Sequence, residues 1–337
     1  MSGEHVWSVV LAGGDGTRLR ALTTGPCGTP VPKQFCSLHG NRTLIEDAMA
    51  RAAGVVSPER ICAIVAQQHR QWWLQTLDRM PRDNVIVQPR NKGTAIGVLY
   101  SLLHVIARDP QARLLLLPAD HYVRDEIVLR QALRIALARV DADDSKPVLL
   151  GLEPDEVDPE LGYILPGTRD PLGGRLVGKF IEKPTEQVAK EIIAGGGLWN
   201  AFIIAASAQT LLNMYTQRFA PIVMEMQVIM SRVANAGLPA AAGWAALAEM
   251  YERLPNIDFS RHLLEGRESD LRVVRVPACG WSDLGTPKRV GDTIRRLKIA
   301  TRPQHQHPLQ HESTADILIN LAARHAHLER VRSDVAR

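Results

Sequence analysis

The chain has 337 residues, 45% of them hydrophobic, and its 40 Lys and Arg against 36 Asp and Glu give a formal charge of +4 and a pI near 9.0. That length can bury a full core, as one large domain with an appendage or as two domains. The basic residues are interleaved with acidic ones rather than gathered in a block that could follow a phosphate backbone, so no nucleic-acid partner is expected. No apolar stretch approaches the roughly 20 residues of a membrane helix. Cys27, Cys36, Cys62 and Cys279 form no C-x-x-C pair for zinc or redox chemistry. A soluble, cytoplasmic protein of a reducing compartment is expected. Few aromatic and many aliphatic residues suit an α/β protein with buried parallel strands.

Val6–Ala12 is apolar and β-branched and stops at Gly13-Gly14, which predicts a buried strand feeding a glycine-rich loop. Similar short runs at 60–66, 84–87, 113–117 and 147–152 alternate with helical stretches at 43–53, 68–79, 94–107 and 126–140. Alternation of this kind implies parallel crossover units in a Rossmann-like, doubly wound sheet, with ligands bound beyond the carboxyl ends of the strands. From residue 153 the pattern changes. Extended segments at 162–165 and 175–181 read as antiparallel or mixed, followed by a strand at 198–205 and a long helical region at 207–251. A strand at 271–276 leads through Gly280-Trp281 to a helix at 287–298. One mixed sheet is expected over residues 1–300, in a first part of about 1–150 and a second, lid-like part of about 151–300. Residues 301–312 read as a polar, His-rich linker. Residues 314–331 read as a C-terminal helix with an apolar stripe for its own chain or a partner chain, which would allow a homo-oligomer.

The loop Leu11-Ala12-Gly13-Gly14-Asp15-Gly16-Thr17-Arg18-Leu19 is the first candidate site. A dinucleotide fingerprint would need a glycine where Leu19 stands, and a Walker A loop would need Gly-Lys-Ser/Thr at its end; neither is present. What remains is a run of small residues whose backbone N–H groups can approach a nucleotide, followed by an arginine. Pro32-Lys33-Gln34-Phe35 then sets a lysine between a proline and an apolar anchor, as a point charge for a phosphoryl group.

These two motifs are followed in order by Gln88-Pro89-Arg90-Asn91-Lys92-Gly93-Thr94-Ala95, Pro118-Ala119-Asp120-His121, Gly162-Tyr163-Ile164, Glu182-Lys183-Pro184, Trp199-Asn200 and Trp281-Ser282-Asp283-Leu284-Gly285. The set, over roughly residues 6–298, resembles the sugar-1-phosphate nucleotidyltransferases, or nucleotide-sugar pyrophosphorylases, and among them the mannose-1-phosphate guanylyltransferases.

The resemblance implies in-line attack of a sugar-1-phosphate on the α-phosphate of a nucleoside triphosphate, GTP being expected, with pyrophosphate leaving. Two polyanions repel, so such catalysis is chiefly charge neutralisation and positioning. By resemblance Asp120 and Asp283 hold Mg²⁺, while Arg18 and Lys33 stabilise the triphosphate. Leu11, Ala12, Gly13, Gly14, Gly16 and Thr17, with Gln88, Asn91, Gly93 and Thr94, hold the nucleotide. Glu182 and Asn200 meet sugar hydroxyls, Lys183 the sugar phosphate, and Gly162 the substrate, so the resemblance gives nucleotide binding to about 1–150 and sugar binding to about 151–300. Three features depart from the family pattern: Ala21 where proline is usual, a longer segment at 23–31, and Ala201-Phe202 where many relatives have serine and glycine. Two other readings stay open, the same chemistry on a different base or sugar and a noncatalytic paralogue that binds a nucleotide-sugar.

Overall fold

The computed structural model describes residues 3–24, 28–38, 42–171, 173–235 and 240–300. The predicted linker and C-terminal helix, the histidines within them, and Cys27 lie outside the described residues.

The first half is built as its alternating pattern dictates. Strands β1 (Val6–Ala12), β2 (Ile61–Ala66), β3 (Val85–Gln88) and β4 (Arg113–Pro118) lie parallel in the order β3-β2-β1-β4. A single turn, α1 (Arg20–Thr23), follows the glycine loop, and the crossovers carry α2 (Leu44–Ala53), α3 (Arg70–Thr76), α4 (Thr94–Arg108) and α5 (Glu126–Ala142). Helix α2 starts at a capping box in which Thr43 and Glu46 satisfy each other's backbone N–H groups. β2 is buried at every position because helices cover both faces of the sheet.

Strands β5 (Val148–Leu152), β6 (Gly162–Arg169), β7 (Arg175–Glu182), β8 (Leu198–Ser207) and β9 (Arg272–Val276) continue the same sheet. The nine strands run β3-β2-β1-β4-β8-β5-β9-β7-β6, and β6 also pairs with β8. β8 pairs antiparallel with β4 through residues 204–207 and with β6 through residues 198–200. The single mixed sheet expected from the sequence is therefore found, and every antiparallel pairing in it involves a strand of the second half.

Two stretches differ from the sequence reading. A helix at α6 (Glu186–Ala194) has no counterpart in it; Thr185 caps this helix by accepting from the N–H of Val188. The helical region at 207–251 is two helices, α7 (Ala208–Asn235) and α8 (Ala240–Arg253). α7 bends at Phe219 (φ −135°, ψ 37°), two residues before Pro221, whose ring and missing N–H interrupt the hydrogen-bond ladder.

The core has two principal layers, one under each face of the sheet. One joins Val10, Ile45, Leu133 and Trp199, the other Val9, Leu99, Tyr215 and Phe259. The last helix, α9 (Pro287–Ala300), packs Val290 and Ile294 with Leu19, Leu44 and Leu284, which brings the C-terminal part of the described chain back against the glycine loop. No helix among the described residues is long and apolar enough to cross a membrane.

Candidate active site

The two predicted carboxylates, 163 positions apart in the chain, are drawn together by backbone pairing. Asp120 follows the buried end of β4 and Asp283 lies in the turn after β9. Between them Tyr122 and Ser282 exchange two backbone hydrogen bonds, each 2.9 Å, in an isolated antiparallel bridge. Lys33 closes the arrangement. Its buried ammonium lies 2.8 Å from Asp120 Oδ2 and donates to the Asp283 carbonyl at 2.6 Å. The lysine is fixed by a short 3₁₀ turn, Lys33–Phe35, with Phe35 in the core. Gln34 ties that turn to the glycine loop by donating to the carbonyls of Ala12 (2.8 Å) and Gly14 (2.9 Å).

Burial alone would raise the Asp120 carboxyl, but the neighbouring Lys33 and His121 outweigh it and hold the group below the usual range. For His121 burial dominates and pushes the imidazole down to about 4, against the pull of Asp120 and Asp283. The Trp281 indole N–H donates to His121 Nδ1 at 3.3 Å, so in the neutral ring the proton sits on Nε2, the nitrogen 3.7 Å from Asp120 Oδ1. Asp283 is oriented from the other side. Its Oδ1 accepts the backbone N–H of Gly285 (3.0 Å) and lies 3.1 Å from Arg289 Nε. Arg289 in turn donates to Asp158 at 2.7 Å and lies over the rings of Trp199 and Trp281.

Asp120 and Asp283 are the residues that could hold a metal. Among the described residues no group of three or more His, Cys, Asp and Glu forms a metal cage. Two hard carboxylates, with the remaining positions left to water and phosphate oxygens, fit Mg²⁺ better than a closed protein site would.

Asp120 lines a cleft of about 560 Å³ whose walls also include Leu11, Gly13, Gly14, Gln88, Asn91, Gly93 and Thr94. Seven of the ten predicted nucleotide-contact residues are thus gathered on one cavity. Gln88 is buried, and its Oε1 has no hydrogen-bond partner. A side chain at position 13 would run into the Gln88 amide, which is why glycine is needed there. A buried amide with spare hydrogen-bonding capacity, aimed between Gly13 and Gly97, is suited to a base edge. Asn91 donates to Asp15 of the glycine loop (3.3 Å) and accepts from the N–H of Gly93 (3.0 Å), so it aligns both segments. Gly93 has φ +87° and packs against the Ile257 backbone, where no side chain fits.

Three predicted loop positions lie off the cleft wall. Ala12 is buried at the end of β1, Gly16 is packed against the Lys33 backbone, and Thr17 opens a 3₁₀ turn. Arg18 is exposed and pairs with Glu160 at 3.3 Å. Of the residues predicted to face the sugar, Gly162, Glu182 and Asn200 form their own group. Strand pairing sets Gly162 opposite both Glu182 and Asn200, and the absence of a side chain at 162 leaves room for the Glu182 carboxyl. Glu182 Oε2 is buried without a partner. Burial, followed by Asp258 and Glu265, pushes this carboxyl up to about 7, against Lys183 and Arg261. Lys183 itself is exposed, with φ +51°.

The cleft also contains residues that the sequence reading missed: His121 and the segment Asn256, Ile257, Asp258, Arg261 and His262. That segment is held across the cleft by long-range bonds. Ile257 N–H donates to Lys92 O and Ala95 N–H to Ile257 O, both at 3.0 Å, and Phe259 N–H donates to Thr94 Oγ1 at 2.8 Å. The motif Pro118-Ala119-Asp120-His121 is the one signal for His121; the 256–262 segment carries no local pattern of its own.

Residues 7–298 match the family described as Nucleotidyl transferase. The chain is 30% identical over 312 residues to "Mannose-1-phosphate guanylyltransferase 2" of Escherichia coli O157:H7, a match covering 88% of this chain and 62% of that one. It is 29% identical over 291 residues to "Alginate biosynthesis protein AlgA" of Pseudomonas aeruginosa, covering 84% and 57%. The chain thus spans about three fifths of the length of these curated relatives. Among solved structures, "mannose-1-phosphate geranyltransferase" from Thermus thermophilus superposes with a TM-score of 0.71 at 28% identity, over 90% of this chain and 81% of that one. With a match running from the first strand to the last described helix, the chain belongs to the nucleotidyl transferase family.

Proposed function

We propose that the protein transfers a guanylyl group from GTP to a sugar-1-phosphate, with mannose-1-phosphate the expected acceptor, releasing pyrophosphate. The observation that carries this reading is Lys33, whose ammonium touches the Asp120 carboxylate and the Asp283 backbone beside a cleft floored by Gly13 and Gly14. A protein that only held a nucleotide-sugar would have no need of a buried lysine and two convergent acidic residues at the point where phosphates must meet.

The residues divide the work. Gly13 and Gly14 let the nucleotide approach the backbone, and Gln88 offers its free amide oxygen to a base edge that carries N–H donors, as guanine does. Mg²⁺ held by Asp120 and Asp283 would supply positive charge against the polyphosphate during transfer. Lys33 adds a fixed cation that needs no reorganisation as charge moves from the attacked phosphate to the leaving group. Glu182 and Asn200 stand ready for sugar hydroxyls, and Lys183 and Arg18 supply exposed positive charge. No side-chain nucleophile is required, because the sugar phosphate oxygen attacks directly.

The test is a pyrophosphate-release assay with the full chain, GTP, mannose-1-phosphate and Mg²⁺. Asp120→Asn and Asp283→Asn should each lower kcat by about 10²–10³-fold or more while circular dichroism stays unchanged. Release that persists at the wild-type rate in either variant would overturn the assignment of the metal ligands. Absence of release from the wild type with every nucleotide and sugar phosphate would overturn the catalytic reading.

A further inference from the structure

Phe202 sits in a backbone conformation that side chains avoid. Its φ is +54°, in the left-handed region where a Cβ crowds the following carbonyl. The cause is an irregularity in β8. Gly151 of β5 faces Asn200 while Leu149 faces Ile204, so two residue steps on β5 are matched by four on β8. Bulges of this kind re-aim a side chain, and a glycine would take this conformation without strain. The strand holds a phenylalanine there instead. Asn200 fixes the distortion by accepting the Phe202 N–H on its Oδ1 at 3.1 Å. The ring is turned into the same cleft that Gly13, Gln88 and Asp120 line, with its edge against the buried Phe259 at a centroid distance of 5.5 Å.

Its position is what gives it a function. Phe202 is two residues from Asn200, which also donates to Ser260 at 3.3 Å, and Asn200 faces Gly162, the strand neighbour of Glu182. The ring thus joins the cleft wall of Gly13 and Gln88 to the strand positions that the proposed function gives to the sugar. A phenylalanine in a conformation that suits glycine, packed on the core at Phe259 and lining the cleft as well, is placed to shape the pocket.

We propose that Phe202 determines which sugar phosphate is accepted: its ring occupies the volume beside Asn200 and favours an acceptor that turns an apolar, deoxygenated edge toward it over one that must bury a hydroxyl there. This rests on the transferase reading above and refines its acceptor: the transfer chemistry is kept, and a deoxy relative of mannose-1-phosphate becomes the preferred substrate. A hydroxyl set against an apolar ring without a partner loses its hydrogen bonds to water, a penalty that Phe202→Gly would remove by opening the space to solvent.

The experiment measures kcat/KM for mannose-1-phosphate and for its 2-deoxy, 4-deoxy and 6-deoxy derivatives with GTP, in the wild-type full chain, in Phe202→Gly and in Phe202→Asn. Asparagine tolerates the left-handed backbone and supplies a variant that keeps a side chain at the bulge. Calorimetric titration of the same four sugar phosphates into each protein gives a parallel set of affinity ratios. At least one deoxy acceptor should gain on the parent in the wild type, and that ratio should fall by about 10-fold or more in both variants. Ratios that agree within about two-fold across all three proteins would overturn the role given to Phe202. A wild type that releases no pyrophosphate with any acceptor would sink the transferase reading alone, and the calorimetric ratios would then decide Phe202 by the same criterion.

Discussion

A carboxyl buried near two other carboxylates resists ionisation, and Glu182 is so placed, with its Oε2 unpartnered and its pKa raised from 4.5 to about 7 by burial, Asp258 and Glu265. The sign of the consequence follows from proton counting. Between pH 4.5 and 7 the folded protein keeps a proton on Glu182 that the unfolded chain has released, so stability falls as pH rises through that window. The shift corresponds to roughly 2–4 kcal/mol. Urea unfolding of the unliganded protein at pH 5 and pH 8 should show the wild type losing about that much more than Glu182→Gln, in which the group no longer titrates. Parallel pH profiles for the two proteins would show that Glu182 is not strained. The same residue illustrates what the sequence could tell. Its place in Glu182-Lys183-Pro184 marks it as a sugar contact by resemblance, but nothing local foretells an orphaned oxygen. That feature depends on Gly162 across the strand pair and on carboxylates 76 and 83 positions later in the chain.

At the level of elements, α9 does more than cover the glycine loop. Arg289, in its first turn, is buried between Asp283, Asp158 and the faces of Trp199 and Trp281, joining the turn that bears Asp283 to β8 and the approach to β6. Asp158 is tied further into the core, since its N–H donates to the Tyr163 hydroxyl, which also accepts the Trp199 indole N–H; both distances are 3.1 Å. Removing one member of such a buried set leaves the other charges uncompensated. Arg289→Met, close in length but neutral, should destabilise the protein by about 3–5 kcal/mol in urea unfolding. A loss under about 1 kcal/mol would mean that the pair is solvated enough to count as a surface bridge. The strands and the helices between them are legible because buried parallel strands read as short apolar runs and amphipathic helices carry their own period. α6 escapes the sequence reading although Pro184-Thr185 offers a cap, because nine residues give little periodicity. The 256–262 segment is illegible for a deeper reason: its conformation is imposed by backbone bonds to Lys92 and Ala95 and by the Thr94 hydroxyl, none of which leaves a mark on the segment itself. Phe202 lies between these cases, since the departure from the family pattern is visible in the sequence but the bulge that turns its ring into the cleft is not.

Taken as a whole, the molecule places its candidate site on a seam. The glycine loop and Lys33 come from the first 35 residues, Asp120 from the end of β4, and Asp283 from the turn after the last strand; the seam is closed by the Tyr122–Ser282 bridge and by Lys33. A ligand that touches all of these segments binds only when they are assembled, so its binding free energy adds to the stability of the fold. For GTP at 100 times its dissociation constant the gain is about 2.7 kcal/mol, which for a chain of this size is a rise in Tm of roughly 4 °C. The metal share can be separated by chelation. GTP with Mg²⁺ should raise Tm by the larger amount and GTP with EDTA by less, because Gln88 and the glycine loop still hold the nucleotide while phosphate charge stands uncompensated beside Asp120. In Asp120→Asn the two shifts should become equal within about 1 °C if, as proposed, Asp120 is both the charge that calls for the cation and one of its ligands. A wild-type shift indifferent to EDTA would show that GTP binds without the cation, and would leave Lys33 as the charge that accommodates the triphosphate.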